Sequence, residues 1–185
     1  MACCGPASIW AKIAFVVIII GLILQIVAIA TVSWMVYQIS TSSMRVGLWR
    51  LRTCTSVSCS EGDVPDTLKD GNFTATQALE IITLIMMLAC CIVIGLYCFL
   101  PSAGQNWFAS TCIVMCFITA LFGFTGIICW LVYIKDPYIV SYSMGIALLA
   151  IFLAWIAGVL LIPDILRKGK SSNQRINPSR RPLRW

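Results

Sequence analysis

A membrane protein of four transmembrane α-helices, packed as a left-handed bundle with a small extracellular antiparallel β-sheet, is the fold this sequence predicts. Three observations predict it. The chain is 60% hydrophobic and 11% charged, whereas a soluble domain is about a quarter charged. The apolar excess falls in four near-continuous blocks of roughly 20 residues or more, the length that crosses a hydrocarbon core about 30 Å thick. Between the first two blocks lies one long polar stretch, rich in β-branched and aromatic residues and carrying two cysteines. Bundles of membrane helices cross mostly in the left-handed sense.

Composition also excludes. There is no histidine, which removes the commonest general base and metal ligand. No cofactor and no metal site is expected. The net charge of +6 is not a nucleic-acid signal, because seven of the thirteen basic residues follow the last apolar block. Charge placed there is a topology signal.

Taken in order, residues 1–12 precede a first span over 13–32, from Ile13 to Val32, interrupted by Gln25 and Thr31. A signal peptide is the rival reading, since Ala28–Ile29–Ala30 resembles a cleavage site. Its apolar core would be roughly 7–15 residues, shorter than this run, so a retained helix is expected. Gln25 is expected to make an interhelical hydrogen bond. Residues 33–78 form a long outer loop, and the second span covers 79–100, stopping before Pro101. The link 101–106 is short, which makes the second and third spans antiparallel neighbours. The third span, 107–133, is longer than a bilayer needs and must tilt or project. A short loop, 134–140, leads to the fourth span, 141–162, and a basic tail, 163–185.

Orientation follows from the basic residues. Lys12 and the tail residues Arg167, Lys168, Lys170, Arg175, Arg180, Arg181 and Arg184 put both termini in the cytoplasm. In the first loop Arg45, Arg50, Arg52 and Lys69 are accompanied by Glu61, Asp63, Asp66 and Asp70. Loops 33–78 and 134–140 then face outside.

The first loop reads as β-structure. Trp34–Ile39 and Val46–Leu51 have strand composition, with a turn at Ser40–Ser43. Thr55–Ser58 is a third candidate strand, and Glu61–Asp66 reads as an acidic turn. Such a sheet buries little by itself and must rest on the helix ends. Cys54 and Cys59 are the two cysteines of this oxidising-side loop, and a disulfide between them would fix two strands in register. A loop this short places its stabilisation at the low end of roughly 2–4 kcal/mol. Free thiols or a zinc pair are the alternatives, and no further ligands stand nearby.

Other residues carry lesser expectations. Trp34, Leu48 and Trp49 would anchor the sheet at the membrane interface. Glu80, at the outer edge of the second span, would pair with Lys135 or a loop arginine, or be solvated at the interface. Small residues repeat at Ala150, Ala154 and Gly158, and at Cys112, Cys116 and Ala120, as close helix packing requires. Asn72–Phe73–Thr74 is a glycosylation sequon just before the second span. Cys3, Cys4 and Cys98 lie toward the cytoplasmic face and are candidate palmitoylation sites.

Trp34, then Gly47–Leu48–Trp49, then Cys54 and Cys59, in a four-span chain, resembles the signature of the claudin and peripheral myelin/epithelial membrane protein superfamily. Gln77–Ala78–Leu79 is similar to the start of claudin helix two. Trp130 with Tyr133–Ile134–Lys135–Asp136–Pro137 is similar to the end of helix three and the second loop. The resemblance implies a non-enzymatic junction protein at the plasma membrane. Its outer loops would meet related chains in cis and in trans, with membrane lipid around them, and form or regulate a paracellular barrier or channel. It also implies that the signature residues are structural, that Glu61, Asp63 and Asp66 are candidate pore charges, and that Tyr133, Pro137 and Tyr138 are candidate trans contacts.

The departures are specific. Four residues separate Trp49 from Cys54 and four more separate Cys54 from Cys59, a different spacing from typical claudins. Glu80 stands near the start of helix two, where a basic residue is usual. The C-terminus Pro182–Leu183–Arg184–Trp185 is not the usual ligand of a cytoplasmic scaffold. Arg50 directly after Gly47–Leu48–Trp49 is similar to the channel-regulating gamma-subunit branch. An auxiliary subunit or membrane organiser acting on a channel or receptor is therefore the alternative. A small membrane enzyme is disfavoured by nearly charge-free spans and the lack of a C-x-x-C motif.

Overall fold

The computed structural model describes residues 8–39, 42–99, 106–134 and 137–176. Its elements in chain order are helix α1 (Ile9–Ala30), strands β1 (Met35–Ile39), β2 (Ser42–Val46), β3 (Arg50–Thr55) and β4 (Cys59–Asp63), a short 3-10 turn (Asp66–Leu68), α2 (Gly71–Phe99), α3 (Asn106–Tyr133), β5 (Ile139–Val140) and α4 (Tyr142–Ile176). All four helices are long and apolar enough to cross a membrane.

The helices outrun three of the predicted spans, because an apolar run marks the part that crosses lipid and not where a helix ends. Helix α1 starts at Ile9, four residues ahead of Ile13, where Ser8 caps it by accepting from the Ala11 amide. Helix α2 starts at Gly71 and not at Leu79, because the Asp70 carboxylate accepts from the Phe73 amide at 2.9 Å and caps a polar first turn. Helix α4 continues past Ile162 and through Pro163. Membrane helices tolerate proline where neighbours hold the segment, and here Asp164 accepts a hydrogen bond from the Tyr97 hydroxyl of α2. Helix α3 covers Asn106–Tyr133.

Buried positions on α1 are Ala11, Ala14, Ile18, Gly21, Gln25 and Ala28. Their spacing of three and four in alternation is the 3.5-residue repeat of a left-handed helix seam. Facing them on α4 are Ala150, Ala154, Ala157 and Leu161, all fully buried. The small face on α4 is thus packed inside the bundle, as is the Cys112, Cys116 and Ala120 face on α3. The outer helix surfaces carry Ile20, Ile23, Ile85, Leu88, Ile92, Leu121 and Ile128 exposed, the pattern of a lipid-facing shell.

At one end of the bundle sits a five-stranded antiparallel sheet in the order β4-β3-β2-β1-β5. Its strands differ from expectation. Val46–Leu51 is not one strand: β2 ends at Val46, β3 begins at Arg50, and Gly47–Trp49 is the connection between them. Leu48 turns inward and is fully buried, so its apolar character marks core and not strand. Thr55–Ser58 is the β3–β4 turn, closed by the Ser58 carbonyl accepting from the Thr55 amide at 2.8 Å. The segment read as an acidic turn supplies β4 through Asp63. The second loop adds β5, pairing Met35 with Val140 and Val36 with Ile139.

Candidate functional site

The sheet is seated by the residues that sequence alone had marked. Trp34 is fully buried, and its Nε1 donates to the Ala28 carbonyl at 2.8 Å. Its ring meets Trp130 of α3 edge-on, with centroids 5.3 Å apart. Its backbone is held on both sides: the amide donates to Val46 and the carbonyl accepts from Ser141. Trp34 is therefore a bolt in the protein core and not an interfacial anchor. The reason is the layer above it, where Met35, Val46, Leu48, Val64 and Phe73 bury a second hydrophobic cluster under the sheet.

Gly47 explains its own identity. A Cβ there would stand 2.8 Å from Val32 Cα and 2.9 Å from the Thr31 carbonyl oxygen. The β2–β3 connection thus lies backbone on backbone against the end of α1, an approach that only glycine permits. Leu48 fills the cluster below, and its carbonyl accepts from Gln77 Nε2 of α2 at 2.5 Å. Of the three interface anchors expected, Trp49 alone is substantially exposed. The seat is completed by residues with no sequence signal of their own: the Thr31 and Ser143 hydroxyls, hydrogen-bonded at 2.8 Å, and the Ser143 amide donating to Ser33.

Cys54 and Cys59 are disulfide-bonded and directly paired across β3 and β4, with Cα atoms 4.0 Å apart. Strand register then assigns the two faces of the sheet. Met35, Val46 and Leu51 lie in one cross-strand row, and Tyr37, Met44 and Thr53 in the next on the same side. These side chains turn toward the bundle. The opposite face carries Arg45, Arg52 and Glu61 in one row and Arg50 opposite Asp63 in another. Residues 45, 50, 52, 61 and 63 are all exposed. Arg52 Nε and Glu61 Oε1 are 3.3 Å apart, and Arg50, Glu61 and Asp63 line one shallow depression.

The three candidate pore charges are therefore not an isolated acidic patch. Glu61 is paired with Arg52, and Asp63 stands opposite Arg50. Asp66 sits apart in the 3-10 turn, hydrogen-bonded to Lys69 at 2.9 Å, which holds its carboxyl below the usual range. The candidate trans contacts also separate. Tyr133 is half-buried and its hydroxyl donates to the Leu68 carbonyl. Tyr138 packs its ring on Tyr37. Both line a cleft of about 230 Å³ with Met35, Thr67, Leu68 and Asp70. Pro137 is the one fully on the surface. Val57, at the tip of the β3–β4 turn, is 92% exposed and was not singled out by sequence.

Asn72 is exposed, but inside the first turn of α2 and not in a loop before it. Cys98 is buried, with its thiol donating to the Ala11 carbonyl at 3.5 Å, so helix packing occupies the position read as a palmitoylation site. Cys3, Cys4 and Lys135 lie outside the described residues. Gln25 makes its expected interhelical bond, to Glu80 Oε2 at 2.5 Å. Glu80 is consequently not solvated: it is fully buried, and no basic residue pairs with it among the described residues. No group of side chains suited to hold a metal is present among the described residues.

Compared with curated proteins one by one, the chain matches none. At family level it matches the PMP-22/EMP/MP20/Claudin family over residues 9–162, which takes in all four spans and the whole sheet. The bundle, the bolted sheet and the disulfide together are the architecture of a multi-pass membrane protein of that kind, and the chain belongs to the PMP-22/EMP/MP20/Claudin family.

Proposed function

We propose that this chain is a claudin-like cell–cell junction protein of the plasma membrane, which forms or regulates a paracellular barrier or channel with its sheet. The carrying observation is the division of that sheet into a face buried on the helices and a free face of paired charges. A rigid, outward charged surface on a membrane bundle suits association with related chains alongside it and across a cell contact. The basic residues of the tail and Lys12 support cytoplasmic termini and a sheet outside the cell. Exposed arginines paired with acids favour charge-matched contact or a path with little net field, and not a strongly cation-selective pore. Val57, Pro137, Ile139 and Trp49 are exposed apolar points at this end, available for a trans contact.

The experiment is expression of the full chain in cells that lack junctions. Enrichment where two expressing cells touch, and its absence where an expressing cell meets a bare one, is expected. Uniform distribution over the plasma membrane would overturn the reading. A second reading, an auxiliary subunit of a channel or receptor, draws on the exposed Arg50 at the head of β3. Stoichiometric co-purification with a channel, without enrichment at contacts, would favour it instead.

A further inference from the structure

In the seam between helices α1 and α2, Gln25 faces Glu80, and neither is accessible at all. Gln25 Nε2 donates to Glu80 Oε2. The remaining oxygens, Gln25 Oε1 and Glu80 Oε1, are buried and have no hydrogen-bond partner. Both are acceptors while the carboxyl is ionised, so they cannot then bond to each other. Adding one hydrogen to Glu80 Oε1 converts the two orphan acceptors into a donor and an acceptor. An acid and an amide side by side then share two hydrogen bonds.

A metal cation is the other species that two such oxygens attract. Space opposes it. A Cβ on Gly126 of α3 would stand 2.9 Å from Glu80 Oε1, so the α3 backbone closes over that oxygen. The hydroxyls of Thr76 and Thr83, on the same face of α2, donate to the Asn72 and Leu79 carbonyls. Charged neighbours are missing as well among the described residues. Among the described residues α1 carries one charge, Lys12, and α3 carries none. In α4 the charge within the span is Asp164, bonded to Tyr97 at the end of the bundle away from the sheet. Lys12 lies at that far end too, beside Ala11, which meets Cys98 of α2. Titratable Tyr133 and Cys129 of α3 and Tyr142 of α4 lie toward the sheet. The third buried polar atom without a partner, Trp130 Nε1, sits in the ring layer with Trp34, Phe73 and Tyr133 and bonds to neither oxygen.

We propose that Glu80 is a proton-binding site: in the folded bundle it is a neutral acid whose proton is shared with Gln25 Oε1, clasping α1 to α2 directly beneath the sheet. The clasp lies one turn from Ala28, whose carbonyl holds Trp34. Losing the proton leaves a carboxylate in a low-dielectric seam and loosens the part of α1 on which the sheet is bolted. The folded chain holds a proton that an opened chain, with the carboxyl in water, releases at neutral pH. Stability therefore falls as pH rises.

The test uses the full-length protein in lipid nanodiscs. Infrared difference spectra between wild type and E80Q are expected to show a protonated-carboxyl C=O band at neutral pH that weakens on alkalinisation. In Q25L, which keeps Glu80, the same band shifts, and this identifies it even where E80Q fails to fold. Melting temperature is expected to drop at alkaline pH in wild type and to stay flat in E80Q. No acid band at neutral pH overturns the proposal, as does an identical pH dependence of melting in E80Q. A band that disappears when sodium replaces N-methylglucamine at constant pH also overturns it, since that marks a cation site.

Discussion

Strands β1 and β2 bury Met35 and Val46 against the helices, whereas all five residues of β4 are exposed. The two halves of one sheet are held by different means. The inner half is fixed by tertiary contacts: the Trp34 bolt, the Gly47 backbone approach and the Gln77 hydrogen bond. The outer hairpin reaches the core through Leu51 of β3 and is otherwise held by ladder pairing, the Cys54–Cys59 disulfide and the Arg52–Glu61 pair. The difference separates positions that carry stability from positions free to carry recognition, and substitutions in each half should behave accordingly.

The inner half should give the largest effects. Trp34→Ala removes a fully buried indole that touches Trp130 and bonds to Ala28. A loss of about 3–5 kcal/mol is expected, read as a collapse of the melting temperature and of surface expression. Gly47→Ala adds a single carbon but drives it into backbone atoms of Val32 and Thr31 that cannot turn aside. About 1–3 kcal/mol of destabilisation follows, with a lifted sheet. Wild-type melting in either variant would mean that the sheet is not seated through this corner.

Removing the disulfide sharpens the comparison from the other side. The double variant Cys54→Ser, Cys59→Ser opens a short loop and should cost about 2 kcal/mol, at the low end for a crosslink. Its effect should be local. Hydrogen exchange should quicken in β3 and β4 while β1, β2 and the helices stay protected. Loss of protection in β1 would show that the outer hairpin helps to seat the inner one.

How far this division was legible in the sequence depends on what each residue depends on. The four spans could be read because crossing lipid demands a long apolar run whatever the neighbours are. Trp34, Gly47, Leu48 and Trp49 could be singled out, but the burial of Trp34 and Leu48 could not be read, since it draws on Trp130 and Gln77 far along the chain. Ser42–Ser43 and Cys59–Asp63 have poor strand composition. They become strands through pairing with β1 and β3, and β-propensity is mostly such context. Leu48 misled in the opposite sense: an apolar residue in a polar loop reads as strand when it is a plug. The Gln25–Glu80 contact spans 55 positions, and two polar residues on separate helices announce no partner.

The smallest stability effects and the sharpest functional ones belong to the free face. Arg52 and Glu61 are each nearly half exposed and sit 3.3 Å apart, so Arg52→Gln or Glu61→Gln should shift stability by no more than about 1 kcal/mol. Their effect on ion passage should have opposite signs. Neutralising Arg52 leaves Glu61 unopposed beside Asp63 and should raise cation preference, measured as dilution potentials across epithelial layers expressing the chain. Neutralising Glu61 leaves Arg45 and Arg52 in adjacent pairing positions and should move the potential toward anions. The Glu61→Gln, Asp63→Asn double variant should move it further the same way. Equal potentials in all of these would show that the free face lines no ion path. The charge pairs would then serve contact between chains, and the division of the sheet would mark an adhesive surface and not a filter.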